Sequence, residues 1–146
     1  MTTIRAAREG DATAIAELLA QLGYPSSVAS VPMRLAKLQA EGSVVLVAVN
    51  DRDEAVGVAS AISYAALHTD TPVAYITALV TSENARGRGI GRRIASALEQ
   101  WAHDRGCPRL SVTSGEHRLD AHAFYHQCGF SLTGRRFTKN LDAPPS

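Results

Sequence analysis

The sequence predicts a mixed α/β fold in which four helices flank one central, mostly antiparallel, twisted sheet of about six to seven strands. Short β-branched or alternating runs and longer runs with helical spacing follow one another in the order β-α-α-β-β-β-α-β-α-β-β. The three middle strands succeed one another directly, which is typical of antiparallel pairing. Because 146 residues suffice for one core, we expect a single domain over residues 1–146, with a frayed tail at 142–146.

The first part of the chain is typical of one strand followed by two helices. Residues 2–6 form the strand, and Asp11 is placed to cap the next helix, which ends at Gly23. The apolar stripe of that helix consists of Ala14, Ile15, Leu18, Leu19 and Leu22. A second helix is expected over residues 25–42, with Pro32 in its first turn, where a missing amide donor costs little.

Three strands are expected in the middle of the chain. Residues 43–49 (SVVLVAV) are a β-branched run typical of a buried strand. Residues 55–65 form the second strand, and the polar residues 50–54 join the two as a hairpin. Residues 74–80 form the third strand, after a polar loop at 68–72.

The last part of the chain returns to helical spacing and ends on short strands. One helical face is formed by Ile90, Ile94, Ala97, Leu98 and Trp101. The expected elements are a helix ending at Gly106, a strand at 109–113, a helix at 118–127 closed by Cys128-Gly129, and strands at 130–133 and 136–141.

Composition excludes several classes of function. A net charge of +1, from 15 Lys+Arg against 14 Asp+Glu, is too small for non-specific nucleic-acid binding. No apolar run approaches the roughly 18 residues of a membrane span, and the N-terminus lacks a secretory core, so we expect a cytoplasmic protein without a membrane partner. Cys107 and Cys128 have no metal-ligand spacing, so they are expected to be free thiols and no metal is expected.

One segment carries a specific chemical signal. Residues 84–93 read NARGRGIGRR, and they join an expected strand to an expected helix. A helix N-terminus presents unpaired amides and partial positive charge, and glycines let an anion approach the backbone closely. The arginines add side-chain charge for phosphate oxygens. The segment therefore predicts a phosphate site, but neither the GxxxxGK[ST] pattern nor the GxGxxG pattern is present.

Two motifs together resemble a known family. Arg86-Gly87-Arg88-Gly89-Ile90-Gly91 is similar to the Arg/Gln-x-x-Gly-x-Gly/Ala signature of the GNAT superfamily of acetyl-CoA-dependent N-acetyltransferases. Residues 121–130, AHAFYHQCGF, resemble that family's A-x-x-F-Y-x-x-x-G-F block on its last helix. The resemblance extends over roughly residues 3–141 and implies the GNAT fold, an acyltransferase activity and acetyl-CoA as co-substrate.

The resemblance also implies roles for particular residues. The coenzyme pyrophosphate would lie on the backbone of Arg86, Gly87, Arg88, Gly89, Ile90, Gly91 and Arg92. The pantetheine arm would pair with a strand at Leu79, Val80 and Thr81, next to a bulge. Tyr125 would be the general acid that protonates the departing thiolate, although aromatic packing alone also accounts for a tyrosine there.

The general base and the acceptor stay open at this stage. Candidates for the base are Glu83, Glu116, His117, His122 or a water chain, since the strand position used by some relatives holds no carboxylate here. Arg118 stands where many relatives carry Asn, so its role is open as well. The acidic residues are scattered, which argues against a polycationic aminoglycoside and favours a small primary amine or an amino-acid-like compound.

Two other functions remain as alternatives. One is a coenzyme A-binding sensor or regulatory domain without catalysis, and the other is an unrelated nucleotide-binding protein. The alanine- and arginine-rich composition suggests a bacterial source. The oligomeric state is open, with a homodimer as one arrangement.

Overall fold

The computed structural model describes residues 2–115 and 118–142, in two compact units, Met1–Val112 and Thr113–Ser146. The single domain expected over residues 1–146 stays a prediction. Of the expected frayed tail, residues 143–146 lie outside the described residues.

The first unit is built on a five-stranded sheet. Its strands are β1 (Thr3–Ala6), β2 (Val44–Val49), β3 (Ala55–Tyr64), β4 (Val73–Thr81) and β5 (Leu110–Val112). They lie in the order β1-β2-β3-β4-β5, with antiparallel pairing throughout except for the parallel pair β4–β5. The prediction of a mostly antiparallel sheet is therefore confirmed.

Three α-helices accompany this sheet. They are α1 (Ala12–Leu22), α2 (Val31–Ala40) and α3 (Ile90–Asp104). Short 3₁₀ turns precede all three, at Glu9–Asp11, Val28–Ser30 and Glu83–Ala85. Pro32 lies in the first turn of α2, as predicted, but the helix begins at Val31 and not at residue 25 as expected.

The two faces of the sheet are covered by different helices. Val45, Val47 and Val49 alternate along β2 and pack with buried residues of α1 and α2 in one cluster. The opposite face receives α3, which approaches β3 closely at Gly57. A Cβ built on Gly57 would lie 2.8 Å from Cδ1 of Ile94, so the glycine permits this close packing.

The second unit contains a single α-helix, α4 (Leu119–Gln127), within its described residues. The prediction of strands at 130–133 and 136–141 is wrong, since residues 130–142 form no strand. The sheet has five strands rather than six to seven. Leu132, Phe137 and Leu141 are exposed, and a short alternating segment is not stable as a strand without a partner edge and a buried face.

Asp11 is buried but does not cap α1 as expected. Its carboxylate accepts hydrogen bonds from two Arg5 nitrogens, both at 2.8 Å, and from the Arg8 backbone N–H at 2.9 Å. The 3₁₀ turn places Asp11 in helical geometry (φ −86°, ψ 0°) rather than the extended conformation of a capping residue. Asp53 on the β2–β3 turn joins the network through Arg5 and Arg8.

Candidate active site

The corner between β4 and α3 is anchored by buried residues. Ala85 and Ile90 are both buried, and the first intrahelical hydrogen bond of α3 runs from Arg93 N–H to Gly89 C=O at 3.1 Å. The Glu83 N–H donates to Oε1 of Gln21 on α1 at 3.0 Å. These contacts fix the exposed residues between Ala85 and Ile90 against the sheet.

Two glycines shape the exposed part of the corner. Gly87 and Gly89 have φ values of 81° and 73°, whereas Arg88 between them does not adopt positive φ. Successive residues with opposite signs of φ direct backbone N–H groups into one anion-binding concavity. A Cβ built on either glycine would meet no heavy atom of the described residues within 4 Å, so the space above this backbone is open.

The start of α3 adds further donors to this concavity. The amides of Ile90 and Gly91 precede Arg93, the first donor within the helix, and such amides have no intrahelical acceptor. The helix dipole adds partial positive charge at the same place. The corner therefore provides backbone donors and positive potential of the kind that binds a phosphate or diphosphate.

The arginines of the segment differ in their contacts. Arg86, Arg88 and Arg92 are exposed at the corner. Arg86 also donates from Nε to the Thr81 carbonyl at 3.3 Å, which joins the corner to the end of β4. Arg93, expected to add charge for phosphate, instead donates from Nη1 to the Thr2 carbonyl at 2.6 Å and holds the N-terminal strand.

Strand β4 has an open edge near the corner. Its parallel pairing with β5 ends at the pair Ile76–Val112, so beyond that pair no described strand lies along this edge. The pairing with β3 shifts register between Ser60–Ala78 and Ala61–Ile76, which leaves Thr77 as the extra residue of a bulge. The bulge implied by the family resemblance is therefore present.

The alternation of backbone groups shows which residues face this open edge. The Ser82 N–H donates to the Val56 carbonyl at 2.8 Å, toward β3. Because backbone groups alternate along a strand, Val80 also faces β3, whereas Leu79 and Thr81 direct their N–H and C=O groups to the open edge. Of the three residues predicted for pantetheine, two thus present hydrogen-bonding groups, and Val80 contributes a buried side chain to the core.

Tyr125 lies on α4, between two aromatic rings of the second unit. Its ring centroid is 5.3 Å from that of Phe124 and 5.6 Å from that of Phe130, with edge-to-face geometry. Burial raises the pKa of the Tyr125 phenol, and the positive charge of Arg118 opposes this change only in part. The phenol is therefore protonated at neutral pH.

The candidates for a general base lie in different environments. Glu83 is exposed in the turn before the corner. Nε2 of His122 lies 2.7 Å from the Gly115 carbonyl, so this nitrogen carries the proton and Nδ1 is the remaining basic atom. Glu116 and His117 lie outside the described residues. Arg118 precedes α4, and its N–H donates to the same Gly115 carbonyl at 3.0 Å.

A cavity that the sequence did not predict lies next to the bulge of β4. It has a volume of about 80 Å³ and is lined by residues of α1, α2 and strands β2 to β4. Ser60 and Ala78, the last pair before the register shift, line it, and Arg34 of α2 lines it as well. Ser60 Oγ lies 2.6 Å from Thr77 Oγ1. Distant segments form this cavity, so no local pattern could indicate it.

A larger groove of about 490 Å³ lies between the Arg8–Glu9 turn and α2. No residue of β4 lines it, so it is separate from the site described above. Within residues 2–115 and 118–142, no three His, Cys, Asp or Glu side chains are grouped as metal ligands. The same residues include no helix that is both long and apolar enough to cross a bilayer.

The chain is similar to known enzymes over most of its length. A model of the acetyltransferase (GNAT) family matches residues 13–130. An aminoglycoside N(6')-acetyltransferase type 1 from Stenotrophomonas maltophilia is 30% identical over 99% of this chain and 95% of its own length.

Solved structures share the fold, as predicted. Glucosamine-6-phosphate N-acetyltransferase from Arabidopsis thaliana has a TM-score of 0.85 at 19% identity, covering 97% of this chain and 99% of its own. An aminoglycoside 6'-N-acetyltransferase from Acinetobacter baumannii has a TM-score of 0.76 at 21% identity, covering 97% and 99%. At these identities the two structures establish the fold alone.

Proposed function

The chain belongs to the acetyltransferase (GNAT) family, and on that premise we propose that it transfers an acetyl group from acetyl-CoA to a primary amine of a small acceptor. Enzymes of this family use acetyl-CoA. The observation that carries the proposal is the continuity of the open β4 edge with the glycine corner, because together they offer one path for an extended ligand that ends in a diphosphate.

The coenzyme is proposed to bind through the backbone. Its pyrophosphate accepts hydrogen bonds from the amides of the corner, residues 86–92, and the side chains of Arg86, Arg88 and Arg92 add positive charge. Leu79 and Thr81 pair with the amide groups of the pantetheine arm as a neighbouring strand would. The open edge and the absence of Cβ atoms at Gly87 and Gly89 support this assignment.

Acetyl-CoA supplies an activated acetyl thioester, and attack by the acceptor nitrogen forms a C–N bond while the C–S bond breaks. Backbone N–H groups of β4 at its open edge would stabilise negative charge on the thioester oxygen. Tyr125 holds a proton for the departing sulfur, and its raised pKa keeps the phenol protonated at the pH of the reaction. The nitrogen loses its proton to water or to a base such as Glu83 or His122.

The test of this function is release of free thiol from acetyl-CoA in the presence of a panel of primary amines. We expect release to depend on both the protein and an amine. Acetyl-CoA should also raise the melting temperature, since a ligand at 100 times its dissociation constant adds about 2.7 kcal/mol to the free energy of unfolding. ATP and NAD should raise it much less.

Coenzyme binding without thiol release for any amine would favour a non-catalytic sensor or regulatory domain instead. A larger stabilisation by ATP or NAD than by acetyl-CoA would favour a nucleotide-binding protein and contradict the proposal.

A further inference from the structure

The cavity next to the β4 bulge has an apolar interior. Its lining includes Ile15 and Leu19 of α1, Leu35 and Leu38 of α2, and Val58 of β3. Ser60 and Ala78 bring the lining to the bulged part of β4, the strand along whose open edge the thioester is proposed to lie. A group that occupies this cavity would therefore extend from the proposed reaction centre into an aliphatic environment.

Arg34 gives the same cavity a cation. Its Nη1 donates to Ser26 Oγ at 2.8 Å, in the segment between α1 and α2. No carboxylate pairs with Arg34 in the part of the chain that the structure describes. An exposed guanidinium that retains free donors is suited to pair with a carboxylate in a bidentate manner.

The helical segment that covers the cavity carries little negative charge. Residues 15–40 include two cations, Arg34 and Lys37, and one carboxylate, Glu17, which is exposed and does not line the cavity. A polycationic aminoglycoside needs carboxylates to balance its ammonium groups, and like charges across an interface are unfavourable. The described lining of the cavity offers no such carboxylate.

We propose that the acceptor is a primary amine that carries a carboxylate and a small aliphatic group, as an aliphatic amino acid does. Its carboxylate pairs with Arg34, its aliphatic group occupies the cavity, and its nitrogen faces the bulge of β4. This assignment rests on the proposed acetyl transfer and specifies its substrate class. The proposed acceptor differs from the aminoglycosides for which the Stenotrophomonas relative is named.

The experiment compares leucine with leucinamide and with the aminoglycoside tobramycin as acceptors, by thiol release from acetyl-CoA. Leucine is expected to have the highest kcat/KM of the three, although the amine of leucinamide is less basic and more often deprotonated. Arg34→Gln should lower kcat/KM for leucine by about 10- to 100-fold, mainly through KM, as expected for loss of a hydrogen bond to a charged group. The value for leucinamide should change less than about twofold, because no carboxylate contact is lost.

Lys37→Gln is the matched control, because it removes a cation of the same helix that does not line the cavity. It should leave kcat/KM for leucine within about twofold, and Arg34→Lys should restore part of the activity lost in Arg34→Gln. The KM for acetyl-CoA should be unchanged in all three variants.

A higher kcat/KM for tobramycin or leucinamide than for leucine would overturn the inference while the proposed function stands, and so would equal losses in Arg34→Gln and Lys37→Gln. Thiol release with other amines but not with leucine would also overturn it. Failure of acetyl-CoA to bind would instead contradict the acetyl transfer itself.

Discussion

The N–H of Phe130 donates to the carbonyl of Tyr125 at 2.9 Å, and the two rings meet edge to face with centroids 5.6 Å apart. Gly129 between them has φ 91°, and its N–H donates to the His126 carbonyl at 3.0 Å. This is the pattern of a Schellman cap with its accompanying apolar contact. The cap formed by residues 124–130 therefore ends α4, and its apolar contact also fixes the orientation of the tyrosine ring.

Tyr125→Phe separates the two roles of this residue. The phenylalanine ring keeps the contacts with Phe124 and Phe130, so the melting temperature should change little. If the phenol donates its proton to the departing sulfur, kcat should fall by about 10²-fold or more, in line with general-acid catalysis. Steady-state kinetics with saturating acetyl-CoA measure this loss. A variant with the kcat of the wild type would show that Tyr125 contributes aromatic packing and does not act as the general acid.

Local patterns were sufficient to predict most of the first unit. Each α-helix in the described residues ends within two residues of a glycine with positive φ that the sequence indicates as a stop, namely Gly23, Gly42, Gly106 and Gly129. The three β-branched or alternating runs of residues 43–80 became β2, β3 and β4. These elements are predictable because their periodicity and their end signals lie within a few neighbouring residues.

The features that the sequence did not predict correctly depend on contacts between distant residues. The strands expected at 130–141 lack a paired edge, which a sequence pattern does not reveal. The cavity with Arg34 and Ser60 is assembled from two helices and three strands. Aspartate is a residue type that favours the N-cap of a helix, but the carboxylate of Asp11 is bound by Arg5, six residues earlier, instead.

Gly89→Asp tests the phosphate site at the corner. A carboxylate at this position would place negative charge where the pyrophosphate is proposed to bind, so KM for acetyl-CoA should rise by at least about tenfold, corresponding to about 1.4 kcal/mol. The control is Gly89→Asn, which adds a side chain of nearly the same shape at the same positive φ without the charge. Steady-state kinetics with varied acetyl-CoA separate the two variants.

Both substitutions share any cost of backbone strain, since Asn and Asp tolerate left-handed geometry to similar degrees. The charge effect is therefore the difference between them, and it should diminish at high salt. Equal KM values for Gly89→Asp and Gly89→Asn would contradict an anion site at this corner.

Asp11→Asn tests the buried ion pair that joins β1 to the start of α1. The Arg5 guanidinium, with the Arg8 N–H, holds the pKa of the Asp11 carboxyl below its ordinary value, although burial opposes this. Asparagine cannot balance the charge of Arg5, so the free energy of unfolding at pH 7 should fall by about 1–3 kcal/mol. Arg5 is partly exposed, which keeps the expected loss below that of a fully buried pair. Urea denaturation followed by circular dichroism measures it.

The pH dependence of the same variant gives a second test. Because the pKa of Asp11 is lower in the folded chain, its stabilising contribution is present at neutral pH and is lost as the pH falls below about 4. The difference in unfolding free energy between the wild type and Asp11→Asn should therefore shrink on acidification. Asp70→Asn, at an exposed aspartate without a salt bridge among the described residues, should show almost no difference at any pH. If the difference in unfolding free energy between the wild type and Asp11→Asn stays constant from pH 7 to pH 3, the carboxylate charge does not stabilise the fold.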